Sequence, residues 1–279
     1  LSHTLVLLFP VILSMLLYFQ SMDTVRTEIE RANGAILRQT QMAIDDRLAE
    51  IQRSALQLAG NPKILQTVAN GEWDSANRIR YYNVMQELGN MMAYNSLVGD
   101  VYLICNKFNK IITPTEQTER AMFYNDYHAT VEMSYEEWLA IIDGVDEPCY
   151  RTLYIKSNNT TERVIAYFQP IPSYKTQTPY GTLMIVINKN ELKDIIQGTE
   201  WVNNGSIYVL DDNDQVLFSD TSQEETLSVK YDELVNEKKL YRNINGERTV
   251  VSYKAASLTD WKYVSVMPYN IFWKNAVYI

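Results

Sequence analysis

The sequence predicts an α+β fold in which two tandem antiparallel sheets follow a long N-terminal helix. Three observations lead to this prediction: a charge-free apolar run at the start, a helical pattern that continues to Gly60, and strand patterns that occur twice in the same order. The chain has 279 residues and a hydrophobic content of 46%. That length and composition suffice for about two domains with cores of their own.

Charge and composition exclude several functional classes. The net charge of -9 repels phosphate backbones, so nucleic acid is not an expected partner of this segment. The two histidines, His3 and His128, are too few for a zinc cluster, and no metal or cofactor is predicted. Cys105 and Cys149 form no CxxC pair, and they can bridge only in an oxidising compartment. Because Cys105 ends an apolar strand pattern, a buried free thiol is favoured.

The first 22 residues predict a membrane helix. They contain no Asp, Glu, Lys or Arg, and about 20 apolar residues are enough to cross a bilayer. A cleaved signal peptide normally has a shorter apolar core and a small-residue cleavage site. We therefore expect an uncleaved transmembrane helix over residues 1–22 in a cell membrane, with residues from 23 onward extracellular. The alternative is a buried helix.

A long amphipathic helix is predicted over residues 23–60. Apolar residues recur mostly at steps of three and four, and Gly60-Asn61-Pro62 ends the pattern. Its predicted apolar stripe consists of Met22, Val25, Ile29, Ala32, Ile36, Ile44, Leu48, Ile51, Ala55 and Leu58. The heptad-like spacing also fits a dimer face, so a homodimer through this stalk helix is expected.

The remaining chain divides at Gly198 into two runs of strand and helix patterns. The first run begins with a helix whose predicted stripe is Ile79, Tyr82, Met85, Leu88 and Met92. A capping box at Ser134 and Glu137 starts a short helix that Gly144 closes. Strands are predicted at 101–105, 110–113, 150–156, 163–169 and 181–187, followed by a short helix at 188–197.

The second run contains a hairpin at 207–218, a short helix at 232–239, a strand pair turning at 245–246 and a strand at 262–267. Its hairpin reads IYVLDDNDQVLF, and Asp and Asn at the bend suit a reversal because their side chains bond local backbone. A calcium loop would need Gly at its sixth position, but counting from Asp211 the sixth residue is Val216. The stretch therefore predicts a turn and no metal site.

Three pairs of segments match in the same order along the chain. At an offset of 106 residues, GDVYLICNKFNKIIT from Gly99 aligns with GSIYVLDDNDQVLFS. At an offset of 85, ERVIAYFQ from Glu162 aligns with ERTVVSYK, and at an offset of 80, GTLMIVINKN from Gly181 aligns with WKYVSVMPYN. Hairpins resemble each other by chance, but three ordered matches predict an internal repeat.

The long helix and the repeated sheets resemble a double Cache domain, the extracellular PAS-like sensor module of bacterial receptors. The segments that carry this resemblance are VYLICNKFNKIIT, YGTLMIVINKNEL, IYVLDDNDQVLFS and WKYVSVMP, within residues 22–272. In addition, NGAILRQTQMAIDDRLAEIQRSALQLAGNP is similar to the stalk helix of membrane-anchored AraC-type regulators of Gram-positive bacteria, with sensor histidine kinases close behind.

The resemblance implies a domain order and an output. Residues 61–198 would form a membrane-distal PAS-like ligand-binding domain and residues 199–268 a membrane-proximal PAS-like domain. Residues 269–279 would lead to a second transmembrane helix and a cytoplasmic AraC-type regulator or histidine kinase. The predicted function is extracellular sensing of a small molecule, with ligand-dependent helix movement as the signal.

The resemblance also implies that the ligand lies in the distal domain, between the sheet and the segments that cover it. Rings and hydrogen-bonding groups there are typical of a pocket for a small polar molecule, and aromatic faces beside Asp126 suit an amine or a sugar. The predicted ligand-binding residues are Asp126, Tyr127, His128, Trp138, Tyr150, Arg151, Tyr154, Tyr167 and Gln169. The Arg-x-Trp-Tyr run of amino-acid-binding members is missing, because Ala121 follows Arg120 and Leu139 follows Trp138.

Catalytic motifs are absent from the sequence, so an enzyme is not predicted. There is no G-x-S-x-G elbow, H-E-x-x-H helix or Gly-rich phosphate loop. The adjacent Asp146 and Glu147 are the weak basis for one alternative, an extracellular hydrolase. The other alternative is a dimerising structural ectodomain that binds no ligand.

Overall fold

The computed structural model describes residues 2–70, 78–157, 160–172, 179–198, 205–220, 241–244 and 247–268. The chain forms two compact units: Ile44–Asp194 is one, and Leu1–Ala43 together with Ile195–Ile279 is the other. The helices are α1 (Ser2–Ala59), α2 (Pro62–Asn70), α3 (Arg78–Tyr94), α4 (Arg120–Phe123), α5 (Tyr135–Asp143) and α6 (Lys189–Gln197), with a π-helix at Tyr124–His128.

Helix α1 is continuous from Ser2 to Ala59, so the predicted helices 1–22 and 23–60 are parts of one helix. It ends at the predicted stop, where the Gly60 amide donates to the Leu56 carbonyl at 3.0 Å. The Asn61 side chain accepts from the Lys63 amide at 2.9 Å and starts α2, which the sequence prediction missed. Within the described ranges, no helix combines the length and apolarity that a membrane crossing requires.

The buried face of α1 agrees with the predicted stripe only in its second half. There Ile44, Leu48, Ile51, Ala55 and Leu58 are all buried as predicted. Before residue 44 the buried side chains are instead Asn33, Leu37, Thr40 and Gln41. Predicted Ala32 is exposed and Ile36 is half-buried, and the side chains of Met22, Val25 and Ile29 lie outside the described part. The prediction was wrong here because it ranked helix faces by apolar residues alone.

The first sheet lies in the unit Ile44–Asp194. Its strands are β1 (Val98–Cys105), β2 (Lys110–Ile112), β3 (Gln117–Glu119), β4 (Cys149–Ser157), β5 (Thr160–Ile171) and β6 (Gly181–Ile187), in the order β3-β2-β1-β6-β5-β4 with antiparallel neighbours. Helix α3 buries Tyr81, Val84 and Leu88. The predicted α3 stripe was wrong at Ile79 and Tyr82, which are 76% and 60% exposed.

The second sheet lies in the other unit. Its strands are β7 (Ser206–Leu210), β8 (Val216–Ser219), β9 (Tyr241–Ile244), β10 (Glu247–Ala255) and β11 (Lys262–Pro268), in the order β8-β7-β11-β10-β9. The predicted helix at 232–239 and the turn at 245–246 lie outside the described residues. In this unit α1 bonds through polar groups: the Ser265 hydroxyl donates to Asn33 Oδ1 at 2.8 Å, and Gln41 Nε2 donates to the Ser257 hydroxyl at 2.7 Å.

The acidic stretch after β7 is the predicted hairpin turn. The Asp211 carboxylate accepts from the backbone amides of Asn213 and Gln215 at 2.9 and 2.8 Å, and Asp214 has a φ of 61°. Lys262 Nζ donates to Asp214 at 2.6 Å. No group of metal-ligating side chains occurs among the residues with described positions. Asp211 therefore stabilises the turn through its side chain, and Asp214 connects the turn to Lys262 of β11.

The predicted repeat is confirmed by strand order and by register. Without β3, the first sheet has the order β2-β1-β6-β5-β4, which matches β8-β7-β11-β10-β9. Tyr102 pairs with Met184 in the first sheet, and the positions aligned with them by sequence, Tyr208 and Val264, pair in the second. When the same sequence offsets are added to the residue pairs of β5 and β6, they give the residue pairs observed between β10 and β11. The two sheets are therefore equivalent residue by residue at their centres.

Candidate ligand-binding site

One face of the first sheet is covered by the segment from Arg120 to Gly144, which contains α4, the π-helix and α5. Arg120 fixes this covering segment to the sheet. Its side chain is buried, with Nη1 donating to Asp143 Oδ1 at the end of α5 and Nη2 donating to Asn106 Oδ1 after β1, both at 2.8 Å. A buried guanidinium with two side-chain partners holds both ends of the segment in place.

Helix α5 is fixed at both ends. At its start the Ser134 hydroxyl accepts from the Glu137 amide at 3.3 Å, and the Glu137 carboxylate accepts from the Ser134 amide at 2.7 Å, which confirms the predicted capping box. The bond from the Ser134 amide lowers the pKa of Glu137. At its end Arg151 donates to the carbonyls of Ile141 and Gly144 at 2.7 and 3.1 Å. Predicted Arg151 therefore holds α5 through its carbonyl end.

Between the covering segment and the sheet lies a group of rings that we call the aromatic cluster. Its members are Tyr102, Phe123, Tyr124, Tyr127, His128, Tyr135 and Trp138. At its centre Phe123 is 5.3 Å from His128 and 6.1 Å from Trp138, and the His128 and Trp138 centroids are 5.6 Å apart. These three side chains are fully buried. The last residue of the π-helix supplies the imidazole, and π-helices are often found at functional sites.

The protonation state of His128 follows from its surroundings. Its Nδ1 lies 2.9 Å from the Tyr154 carbonyl oxygen, and because a carbonyl only accepts, Nδ1 carries the hydrogen. Burial lowers the pKa of His128 to about 4, while the bond to Tyr154 acts in the opposite direction. The imidazole is therefore neutral near pH 7, and its Nε2 is a hydrogen-bond acceptor.

Two buried ring nitrogens of the aromatic cluster are unpaired. Neither the acceptor His128 Nε2 nor the donor Trp138 Nε1 has a hydrogen-bond partner among the described residues. Buried polar groups in folded proteins are almost always paired, so each such nitrogen calls for an explanation. The arrangement offers one donor and one acceptor inside an apolar, ring-lined setting, which can orient a small polar group.

The outer rim of the cluster is acidic. The Tyr127 ring is 37% exposed, and its hydroxyl donates to Glu116 at 3.1 Å. The pKa of Tyr127 is raised by burial, by that hydrogen bond and by the charges of Glu116, Asp126 and Asp100. Burial also raises the pKa of Asp100. Predicted Asp126 is exposed at this rim, where carboxylates favour a cationic group.

Three of the predicted residues lie on the opposite face of the sheet. The rings of Tyr150 and Tyr167 are 4.8 Å apart, and the Tyr150 hydroxyl donates to the Leu48 carbonyl of α1 at 3.0 Å. The Tyr167 hydroxyl donates to Gln169 Oε1 at 3.1 Å. Burial raises the pKa of Tyr167 to about 12. Strand alternation separates these side chains from Arg151, which follows Tyr150 directly.

The structure thus brings together part of the predicted set. His128 and Trp138 are adjacent, Tyr127 lies beside them and Asp126 at the rim, while Tyr154 supplies the carbonyl for His128 and packs against the same core. The sequence prediction did not include the other cluster members, Tyr102, Phe123, Tyr124 and Tyr135. Side chains of β1 alternate between the two faces of the sheet, so Tyr102 lies on the same face as Ile104. This alternation could have predicted Tyr102 as a member of the cluster.

The chain thus combines one long helix with two antiparallel sheets of matching strand order, and a covered aromatic cluster lies on the first sheet. The dCache_1 family, described as a Cache domain, matches residues 21–276, and the chain belongs to this family. The double Cache resemblance predicted from the sequence is therefore confirmed. No curated protein matches the chain in sequence.

Three solved structures with the same fold are sensory or ligand-binding domains, two of them from chemoreceptors named as such. The sensory domain of Campylobacter jejuni chemoreceptor Tlp3 with isoleucine bound has a TM-score of 0.57 at 15% identity, covering 89% of this chain and 96% of that one. The ligand-binding domain of Mlp24 with asparagine has a TM-score of 0.59 at 10% identity, covering 91% and 98%. The ligand-binding domain of the amino acid chemoreceptor PctC of Pseudomonas aeruginosa PAO1 in complex with GABA has a TM-score of 0.55 at 16% identity, covering 85% of this chain and 99% of that one.

Proposed function

We propose that the chain is the extracellular part of a bacterial membrane receptor that binds a small molecule at the aromatic cluster. The observation that carries this proposal is the pair of buried, unpaired nitrogens of His128 and Trp138 beneath a cover that Arg120 fixes at both ends. Membership in the dCache_1 family supports a sensory and non-enzymatic role. Residues 61–198 would be the membrane-distal ligand-binding domain and residues 199–268 the membrane-proximal domain.

The first ligands to test follow from the related sensors and from the rim. Tlp3, Mlp24 and PctC hold isoleucine, asparagine and GABA, all of which carry an amino group. The carboxylates of Asp100, Glu116 and Asp126 near Tyr127 favour such a cationic group. The absence of the Arg-x-Trp-Tyr run favours amines and amino amides over the amino acids that this run would bind.

The route to the output is proposed to run through β4 and α1. Arg151 of β4 bonds the covering segment on one face, and its neighbour Tyr150 bonds α1 on the other. A ligand that binds one arrangement of the covering segment more tightly would bias the position of α1 by that difference in affinity. The output domain would be an AraC-type regulator or a histidine kinase.

Attachment and assembly complete the proposal. Residues 1–22 would anchor the chain in the membrane, which their lack of charge supports, as do their exposed side chains Val11, Ile12, Leu13, Met15, Leu16, Leu17, Tyr18 and Phe19. A homodimer would form through α1, where Met42 and Leu56 are 63% and 52% exposed. Carbonate extraction of membranes tests the anchor, and cross-linking between copies of a Met42→Cys variant tests the dimer.

Ligand binding is tested by thermal shift with the 279-residue chain against amines, amino acids, amino amides and sugars. We expect at least one compound to raise the melting temperature in proportion to ln(1 + [L]/Kd). Trp138→Phe should abolish that shift, while Trp261→Phe, a matched buried tryptophan of the other unit, should keep it. Concentration-dependent dimerisation without any stabilising compound would support the structural ectodomain instead.

A further inference from the structure

We infer that the ligand carries an uncharged group that accepts a hydrogen bond from Trp138 Nε1 and donates one to His128 Nε2, as a hydroxyl or a primary carboxamide does. This inference rests on the proposed function, because it names the chemistry of the group that the aromatic cluster binds. It concerns the buried centre of the cluster, whereas the amino group discussed above would lie at the acidic rim.

The pairing requirement of the two nitrogens carries the inference. An indole N–H can only donate, and the Nε2 of this tautomer can only accept, since Nδ1 is committed to the Tyr154 carbonyl at 2.9 Å. Both nitrogens are buried and unpaired among the described residues. A group that binds both must therefore contain one acceptor and one donor. Its binding gives each of the two buried nitrogens a hydrogen-bond partner and so removes the free-energy cost of leaving them unpaired.

The two rings are direct neighbours in the aromatic cluster. The His128 and Trp138 centroids are 5.6 Å apart with an interplanar angle of 36°. One small group in contact with both rings is therefore the simplest partner for the two nitrogens.

Charged groups fit this position poorly. A carboxylate has no hydrogen for His128 Nε2, and an ammonium has no lone pair for Trp138 Nε1, so each leaves one nitrogen unpaired. Phe123 packs against both rings at 5.3 and 6.1 Å, and this apolar setting penalises a full charge. Discrimination at the buried centre should therefore favour the neutral compound of an isosteric pair.

The test uses the ¹⁵N-labelled 279-residue chain with four probes of similar size: propanamide, 1-propanol, propanoate and propylammonium. The indole N–H signal of Trp138 is assigned as the one that Trp138→Phe removes. Propanamide and 1-propanol should move this signal downfield and saturate it, with apparent affinities at least about tenfold above those of propanoate and propylammonium. Equal binding of propanoate would overturn the inference.

Variants separate the role of the two nitrogens from general packing. His128→Phe keeps a ring but removes the acceptor, so it should weaken propanamide binding at least about tenfold, while His128→Gln should restore part of it. Trp261→Phe should change nothing. If His128→Phe unfolds, the propanamide and propanoate titrations of the unmodified chain decide by themselves.

The remaining outcomes distinguish this inference from the proposed function. A compound that stabilises the chain equally well in Trp138→Phe and His128→Phe would refute the inference and the aromatic cluster as the binding site, while small-molecule binding by the chain would still stand. A Trp138 signal that is already at a hydrogen-bonded position without probe, and stays there, would mean that water bridges the nitrogens, which also refutes it. Failure of every compound in the thermal screen would refute both.

Discussion

The two sheets have the same strand order and register but are packed with different chemistry. In the unit of the first sheet, α1 buries the apolar Ile44, Leu48 and Ile51. In the unit of the second, the same helix buries the polar Asn33 and Thr40 beside Leu37, and Asn33 bonds to a serine of the sheet. Pairing of backbones is therefore preserved between the copies, while the side chains that cover each sheet have diverged. Sheet architecture constrains register far more tightly than it constrains the covering layer.

The largest expected effect contrasts the apolar and polar parts of α1. Leu48→Ala should lower the free energy of unfolding by about 3 to 4 kcal/mol, because Leu48 is fully buried and the change leaves a cavity. Thr40→Val should cost less than about 1 kcal/mol or stabilise, because the Thr40 hydroxyl is buried without a partner in the described part of the chain. Urea denaturation followed by circular dichroism measures both. Equal losses would remove the contrast between the two parts.

The second effect concerns pH and belongs to the first sheet. The pKa of His128 is lowered to about 4 from 6.5, so the unfolded chain binds a proton before the folded chain does. The contribution of the neutral imidazole to the free energy of unfolding is therefore fully present above pH 6.5. It is lost as the pH drops toward 4, by up to about 3 kcal/mol. Melting temperatures of the unmodified chain and of His128→Phe across this range check it. A difference between the two that does not change with pH would contradict the burial of a neutral imidazole.

A smaller effect belongs to the polar contact of the second sheet. Ser265→Ala removes the hydroxyl that donates to Asn33 Oδ1 at 2.8 Å. The free energy of unfolding should fall by about 1 to 2 kcal/mol, because a buried acceptor is left unpaired. The double variant Asn33→Leu with Ser265→Ala should cost less than the sum of the single variants, as a double-mutant cycle in urea measures. Strict additivity would show that the two groups do not stabilise each other.

The smallest effect separates two neighbouring aspartates in the hairpin turn of the second sheet. Asp211→Ala should lower the free energy of unfolding by about 1 kcal/mol. The Asp211 carboxylate accepts hydrogen bonds from two backbone amides that would otherwise be unpaired at the turn. Asp212→Ala, an exposed neighbour, should be within about 0.5 kcal/mol of the unmodified chain. Thermal melting of both variants is the measurement. A cost for Asp212 as large as that for Asp211 would point to general charge effects instead of turn geometry.

Most strand positions were predictable because their signals are local, although β3 was missed. β-branched and aromatic runs predicted β6 at its observed bounds, Gly181–Ile187, and the capping box predicted the start of α5. Helix α2 was predictable too, since Asn61-Pro62 is a cap followed by a first-turn proline. The buried polar face of α1 was not, because burial of Asn33 depends on a serine 232 positions away in the chain.

The candidate site was predictable as a region and only partly as a set of residues. Tyr150 and Arg151 are neighbours on one strand, so alternation alone places them on opposite faces, and the prediction should have separated them. Recognising that His128 and Trp138 meet was out of reach, because the π-helix that turns His128 inward has no sequence signature of the kind that caps and turns have. Their contact depends on how the covering segment closes over the sheet.

The shared register has a consequence for how such a chain can be altered. The sequence offset between the copies falls from 106 to 85 between Thr113 and Glu162, so the first copy is longer there by 21 residues. That interval contains the covering segment with Phe123, His128 and Trp138. The offset falls again, from 85 to 80, between Gln169 and Gly181, so the length differences lie in connections and not inside the aligned central strands. A protein engineer who wants to change what this domain recognises can exchange the one connection that contains the covering segment as a cassette and leave the strands untouched.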